Sequence, residues 1–321
     1  MPSITRSLAF VMDPIRSIDV RGDTTFALML EAQRRGHRIF CVDPGDLGVD
    51  GGRVVAKVSP VTLRREVGNH ADLGEPRRAD LDAEFEAVFQ RKDPPVDEAY
   101  VTATQILALC KRAWVLNRPS GILAANEKLY ALHFADLMPE TLVARETRQF
   151  LDFLERMEGE MIVKPLGGRG GEGIFHVRRD DRNLFSILEQ TTRFGTRLAM
   201  AQRYLPAVRR GDKRILLLEG EPLGAVLRVP AESETRANLH VGGRPEKATL
   251  DADDRRIVER LAPWLARDGL FFVGIDVIGG RLTEVNVTSP TGLQEMNALD
   301  GARYEERVLE RVEQRIAERD A

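Results

Sequence analysis

Three polar residues interrupt a stretch that is otherwise apolar: Asp276, Glu284 and Asn286 within residues 271–290, FFVGIDVIGGRLTEVNVTSP. The flanking Phe, Val, Ile and Leu argue for a buried hairpin around Gly279-Gly280, and a buried carboxylate must find a cation. Hard oxygen donors on strands suit magnesium, which keeps several waters and takes the rest of its shell from substrate phosphates. The spacing makes a geometric demand. With a two-residue Gly279-Gly280 loop and an unbroken ladder, Asp276 falls opposite Thr283 and points away from Glu284. One metal could not then collect all three. An odd-length loop such as Ile278-Gly279-Gly280 with Gly280 at positive φ, or a β-bulge, places Asp276, Glu284 and Asn286 on one face.

A second constellation is Lys164-Pro165-Leu166-Gly167-Gly168-Arg169-Gly170-Gly171-Glu172-Gly173, which ends one expected strand and begins another. Glycines in a strand-to-strand loop let backbone amides approach phosphate closely, and Lys164 sets a cation beside them. It is not a Walker loop, because no Gly-Lys-Ser/Thr follows and the next element is not a helix. Lys128, in the first turn of an expected helix, reads in isolation as a solvated lysine. Gly211-Asp212-Lys213-Arg214 precedes an apolar strand, and Arg228 ends the next one before Pro230. Two arginines at the margins of adjacent strands suit bidentate recognition of carboxylate or phosphate. Residues 232–244, ESETRANLHVGGR, read as a second mobile loop carrying Arg236. The five histidines are scattered and form no zinc pattern.

These groups need a scaffold, and the pattern supplies an α/β one. Strand 8–12, a helix opened by Asp23 and closed at Gly36, and strand 38–42 imply a parallel sheet. Residues 44–78 are only loosely assignable. Strand 87–90, helix 100–111, strand 114–116 and a helix over 127–137 capped by Asn126 follow. Strands at 141–144, 161–164, 173–177 and 198–202 with helices at 148–157 and 184–194 form a small module around the glycine loop. Antiparallel strands 215–218 and 223–229, an amphipathic helix over 254–267 and the polar hairpin come next. A last helix carries Tyr304, Val308, Val312 and Ile316 as core. The expected division is 1–122, 123–202 and 203–321.

The chain has 321 residues and a formal charge of −3, so no global field recruits nucleic acid or an anionic membrane. Its two cysteines, Cys41 and Cys110, lie in apolar stretches, as expected of reduced thiols in the cytoplasm. Run 8–12 is too short for a signal peptide, and no apolar run approaches the ~20 residues of a membrane helix.

Together, these segments resemble the ATP-grasp carboxylate-amine ligases, and among them the bacterial glutathione synthetases. The resemblance rests on VMDPI (11–15), TTFALMLEAQRRGH (24–37), RKDPP (91–95), NEKL (126–129), KPLGGRGGEGIF (164–175), AQRYLPA (201–207), GDKRILLLEGEP (211–222) and FVGIDVIGGRLTEVNVTSPTG (272–292). It implies an ATP-grasp fold with an N-terminal, Rossmann-like parallel-sheet domain, and ligation of γ-glutamylcysteine and glycine through an acyl phosphate. Lys128 and Lys164 would hold ATP phosphates under a loop of Gly167, Gly168, Gly170, Gly171 and Gly173, and Gln202, Arg203, Tyr204 and Leu205 would present backbone groups to adenine. Asp276, Glu284 and Asn286 would bind Mg2+, with Mn2+ as a substitute. Arg214 and Arg228 would stabilise the reacting groups, Arg236 would close over them, and Asp212 and Ser289 would bind substrate. Asp13-Pro14 and Arg91 fall where the family forms part of its peptide pocket. A homodimer or homotetramer is implied. The second loop is poorer in glycine than the family pattern, with Ser233, Ala237, His240 and Val241. Two alternatives stand beside this: the same chemistry on another thiol peptide or amine, or a non-catalytic ATP and magnesium binder.

Overall fold

The computed structural model describes residues 4–320 apart from 169, 232, 233, 235 and 238–241. Three sheets organise the chain. At the centre of the first, Ser7–Val11 lies between Arg38–Val42 and Ala87–Gln90, and Trp114–Leu116 extends the row, all in parallel. Helix Thr24–Arg34 opens as expected at Asp23, whose carboxylate accepts from the Phe26 amide. Residues 44–80 add antiparallel strands, the longest Arg53–Leu63, making an eight-stranded mixed sheet.

Three expected helices differ, and the one expected over 184–194 is Leu184–Thr191, with Arg193 and Phe194 beyond it at positive φ. The helix expected over 100–111 is Glu98–Leu107. Asp82 Oδ1 accepts from the amides of Lys111, Arg112 and Ala113 at 2.8, 2.7 and 2.9 Å, and these bonds draw the chain out of the helix towards Trp114. Asn126 does cap Lys128 and Leu129 through Oδ1 at 3.1 and 3.0 Å, but the element that follows is a 3-10 helix, Tyr130–Leu137, broken at Phe134.

The second sheet runs Phe175–Arg178, Glu160–Pro165, Ala199–Arg203, Thr141–Ala144, all antiparallel. Phe150, Phe153, Met161, Val163, Val177 and Leu188 form its core beneath helices Thr147–Arg156 and Leu184–Thr191. Strand alternation therefore turns Ile162, Lys164, Met200 and Gln202 to the opposite face, towards the third sheet. That sheet, Arg244–Lys247, Glu221–Val229, Asp212–Leu218, Phe272–Ile278, Arg281–Asn286, is also antiparallel. Helix Ala252–Asp268 packs on one face through Ile257, Leu261 and Leu265. Leu216, Val226 and Phe272 on the other face share a core with Phe10, Met29 and Val312. The final helix, Tyr304–Asp320, contributes Val308, Val312 and Ile316 to this core, with Tyr304 packed beside it, so the end of the chain returns to the first sheet. Among the described residues no helix is long and apolar enough to cross a membrane, and both cysteines are free.

Candidate active site

The polar hairpin meets its geometric demand through a bulge. Ile278 pairs with Arg281 across a two-residue Gly279-Gly280 turn with φ of +55° and +74°, so the odd-length loop is not used. Register then shifts: Leu282 faces Val277, Glu284 faces Asp276, and Thr283 is the extra residue, its Oγ1 donating to the Asp276 carbonyl at 3.1 Å. Asp276, Glu284 and Asn286 consequently share a face.

The neighbouring strand adds to that face by alternation. Asp212 pairs with Arg228, and Arg214 pairs with Asp276. Lys213 points the other way, to Asp251 and Asp254 at the start of helix Ala252–Asp268. Gly274 leaves room for Arg214, since a Cβ there would lie 3.1 Å from Arg214 Cδ. Arg214 grips both oxygens of Asp276, with Nη2 3.0 Å from Oδ2. Arg228 Nη2 bridges Asp212 Oδ2 and Asp276 Oδ1, the latter at 3.1 Å. Asn286 Nδ2 lies 3.5 Å from Asp276 Oδ2. Two lysines close the far end. Lys164 Nζ from the second sheet is 3.3 Å from Glu284 Oε1, and Lys128 Nζ is 3.6 Å from the same oxygen.

This cluster is buried and electrostatically tense. Burial alone would raise Asp276, yet Arg214 and Arg228 hold it well below the usual carboxylate range. Burial likewise opposes ionisation of Glu284, and Lys128 and Lys164 outweigh it. Burial, aided by repulsion from Lys128, lowers Lys164. Asp212 is pushed by burial up to about 6, against the pull of Arg228. Two side-chain atoms of this cluster are buried without a hydrogen-bond partner, Asp212 Oδ1 and Arg228 Nε. Three carboxylates thus face four cations, a surplus suited to an anionic ligand.

Both sequence-flagged loops reach this cleft. Gly168, Gly170, Gly171 and Gly173 have positive φ, as a loop with inward-turned amides requires. The Gly168 carbonyl accepts from Lys128 Nζ at 3.5 Å, and the Gly171 carbonyl accepts from Arg236 Nη1 at 3.3 Å. Gly167 is exposed, with open space where a Cβ would stand, while Arg169 is outside the described residues. Arg236 is ion-paired with Glu234 at 2.6 Å. Ala237 of the second loop is buried, while Ser233, His240 and Val241 fall outside the described residues.

On strand Ala199–Arg203 of the second sheet, Gln202 is buried and donates to Thr141 Oγ1 at 3.0 Å, and Arg203 pairs with Glu140 at 2.9 Å. Tyr204 stacks on His176 with ring centroids 3.9 Å apart, and Leu205 leads into the short helix Pro206–Arg210. Ser289 lies half-buried in the bend between Thr288 and Pro290, whose carbonyl accepts from Arg91 at 3.0 Å. The structure therefore brings Lys128, Lys164, Asp212, Arg214, Arg228, Asp276, Glu284 and Asn286 into one cluster. Arg203 turns its side chain to the surface.

Sequence reasoning overlooked three supports. Glu127 Oε1 accepts from Thr288 Oγ1 at 2.8 Å and from the Val287 amide at 3.2 Å, fixing the chain beyond the polar hairpin. Asn117 Nδ2 donates to the carbonyls of Phe272 and Val287 at 2.9 and 2.8 Å. His176 shares the strand face of Ile162 and is oriented by Glu160 at 2.7 Å. A carboxylate next to Lys128 was the one available signal; nothing local marked the other two.

Two family models match most of the chain. Residues 7–122 match the prokaryotic glutathione synthetase N-terminal domain, and residues 127–301 match the prokaryotic glutathione synthetase ATP-grasp domain. The chain belongs to the prokaryotic glutathione synthetase family. It is 46% identical to the glutathione synthetase of Gloeobacter violaceus over 310 residues, covering 94% of this chain and 95% of that one. The Agrobacterium fabrum glutathione synthetase is 45% identical over 298 residues, 92% and 93% of the two chains. Among solved structures, the D-cycloserine synthetase DcsG superposes with a TM-score of 0.67 at 18% identity, covering 97% of this chain and 99% of that one. An ATP-grasp RimK domain protein from Sphaerobacter thermophilus gives 0.61 at 18% identity, over 94% and 97%. These two show the ATP-grasp fold.

The donor set fits a hard divalent cation. Asp276, Glu284 and Asn286 offer oxygen on adjacent strands of one face, and an amide rotation turns Asn286 Oδ1 to where Nδ2 now sits. Among the described residues no group of three or more His, Cys, Asp or Glu side chains is placed to hold a metal.

Proposed function

We propose that this site joins γ-glutamylcysteine to glycine at the expense of ATP, giving glutathione, ADP and phosphate. The observation that carries the reading is the buried cluster of three carboxylates and four cations under the glycine loop, in a chain of this family. A free carboxylate is a poor acyl donor, so the cysteinyl carboxylate first takes the γ-phosphoryl group, and the acceptor amine then displaces phosphate from the acyl phosphate.

Each residue has a part in offsetting charge. Lys128 and Lys164 hold the polyphosphate beneath amides of the Gly167–Gly173 loop, and residues 202–205 hold the adenine edge. Asp276, Glu284 and Asn286 would hold Mg2+, or Mn2+ in its place, and the metal would supply positive charge to neutralise phosphate. Arg214 and Arg228 draw the anionic nucleophile and phosphoryl group together, a charge-stabilising role that dominates phosphoryl transfer. Arg236 closes over the acyl phosphate and keeps water away. Asp212 and Ser289 contact substrate, and the segments around Asp13-Pro14 and Arg91 form part of the peptide pocket. No protein nucleophile is needed. The catalytic unit is a homo-oligomer acting in the cytoplasm on small molecules.

The test is ADP release with ATP and magnesium, adding γ-glutamylcysteine and glycine separately and together, with mass identification of the product. Turnover that needs both and yields glutathione supports the assignment. Turnover with a different peptide or amine, and none with this pair, overturns the substrates.

A further inference from the structure

We propose that Glu127 is a positioning residue for the divalent metal: it stands in for a neighbouring strand at the free edge of the third sheet and holds Asn286 in place. The proposal rests on the ligase reading above. Strand Arg281–Asn286, which carries Glu284 and Asn286, is the last strand of that sheet. Amides at alternate positions of a strand face the same edge, so those of Val285 and Val287 point outward on either side of Asn286. Residue 127 meets both. Its backbone carbonyl accepts from the Val285 amide at 2.9 Å, and its carboxylate Oε1 accepts from the Val287 amide at 3.2 Å. The same oxygen accepts from the Thr288 amide at 3.3 Å and from Thr288 Oγ1 at 2.8 Å.

Asn286 is the metal donor that needs this support. Asp276 is gripped by Arg214 through both oxygens, and Glu284 faces Lys128 and Lys164. The Asn286 side chain lies 3.5 Å from Asp276 Oδ2, at the outer limit of a hydrogen bond, so that contact fixes it weakly. It is also the terminal residue of an edge strand, where local opening costs least. The three donors to Glu127 Oε1 close that end.

The backbone at Glu127 is held independently of its carboxylate. Asn126 Oδ1 caps Lys128 and Leu129, and Asn126 Nδ2 reaches the Leu166 carbonyl at 3.3 Å. Truncating the Glu127 side chain therefore loosens Asn286 while Lys128 stays beside Glu284 and the glycine loop. Nucleotide contacts and metal contacts are thereby separable. An outer partner that orients a metal donor governs about 10- to 100-fold in metal affinity.

The experiment measures the Kd for ADP by calorimetry, with excess magnesium and with a chelator in its place, together with the melting temperature of each ligand-free protein. The proteins are wild type, Glu127→Ala, Glu127→Gln and Thr288→Val. In Glu127→Ala the Kd with magnesium should rise about tenfold or more, with the Kd in chelator within about twofold of wild type. Glu127→Gln keeps an acceptor oxygen for the same donors and should stay within about threefold in both conditions. Thr288→Val removes the hydroxyl donor and keeps both amides, so its Kd with magnesium should rise about three- to tenfold. A lower melting temperature in Glu127→Ala with both Kd values unchanged means a role in stability alone and overturns the assignment. An equal rise with and without magnesium overturns it too, as does a Glu127→Gln protein as weak as Glu127→Ala. Wild type whose ADP affinity is the same in magnesium and in chelator overturns the metal reading and this assignment with it.

Discussion

Glu31 and Asp212 are both buried carboxylates paired with arginine, and their surroundings differ in one respect. Glu31 accepts from Arg34 and Arg35 on Oε1 at 2.8 and 2.7 Å, and from Arg34 and Arg303 on Oε2 at 2.7 Å each. Burial would raise its pKa, and Arg34 and Arg35 bring it below the ordinary value. Every lone-pair direction has a donor, and the result is a brace between helix Thr24–Arg34 and the start of the final helix. The Asp212–Arg228 pair instead keeps an acceptor and a donor vacant. Burial and charge alone do not mark a functional site; the distinguishing property is incompleteness. A finished polar network stabilises the fold, whereas an unfinished one is held in place by the rest of the fold for a ligand.

The largest expected separation of the two clusters comes from charge removal. Lys164→Ala should lower kcat/KM by about 10²–10³-fold, the scale of a lost transition-state donor, with the melting temperature little changed. Glu31→Ala should do the converse, losing about 2 kcal/mol of stability in denaturant titration with turnover per folded molecule intact. A subtler disturbance comes from Gly274→Ala, whose Cβ would meet Arg214 Cδ at 3.1 Å and Pro290 Cβ at 3.0 Å. Displacing Arg214 should lower kcat about tenfold or more, while nucleotide affinity stays close to wild type; equal loss of both would mean the sheet itself had shifted.

A pH series sharpens the contrast further. The Asp212 pKa is raised in the folded protein to about 6, from about 4 in an unfolded chain, so the folded state binds the extra proton between those values. Stability contributed by this group is thus present below about pH 4 and lost as pH rises through about 6. Thermal melts of Asp212→Asn should therefore gain on wild type as pH rises across that window, and a constant difference would contradict the stated cause. The smallest effect concerns thiols outside both clusters. Burial pushes Cys41 and Cys110 up to about 12, so both should alkylate slowly in the native protein at neutral pH and rapidly once it is unfolded.

Much of the site was legible because strand parity is strict. Asp276, Glu284 and Asn286 could share a face only through an extra residue, and the fold supplies it at Thr283 rather than in the loop. Residues 53–63 carried an equally usable signal, with Val54, Ala56 and Val58 buried and Arg53 and Lys57 outward, but Ser59-Pro60 and the short charged strands around it obscured the alternation. Helix limits near 110 and 130 were not legible. Asp82, far away in sequence, ends one helix, and the kink at Phe134 breaks the other where composition favoured a continuous helix. The Glu31 brace was hidden for the same reason: Arg303 reaches it across most of the chain, so no local pattern announces it. Lys128 gained its meaning only from Glu284 and Gly168, both remote in sequence.

The central claim is that the unfinished cluster acts and the finished one braces. Its most direct test is to measure turnover and melting temperature side by side for Lys164→Ala and Glu31→Ala, with ATP, magnesium, γ-glutamylcysteine and glycine present. The account predicts a crossed pattern, activity lost with stability kept in the first and stability lost with activity kept in the second. Full activity in Lys164→Ala, or loss of activity in folded Glu31→Ala, would contradict it.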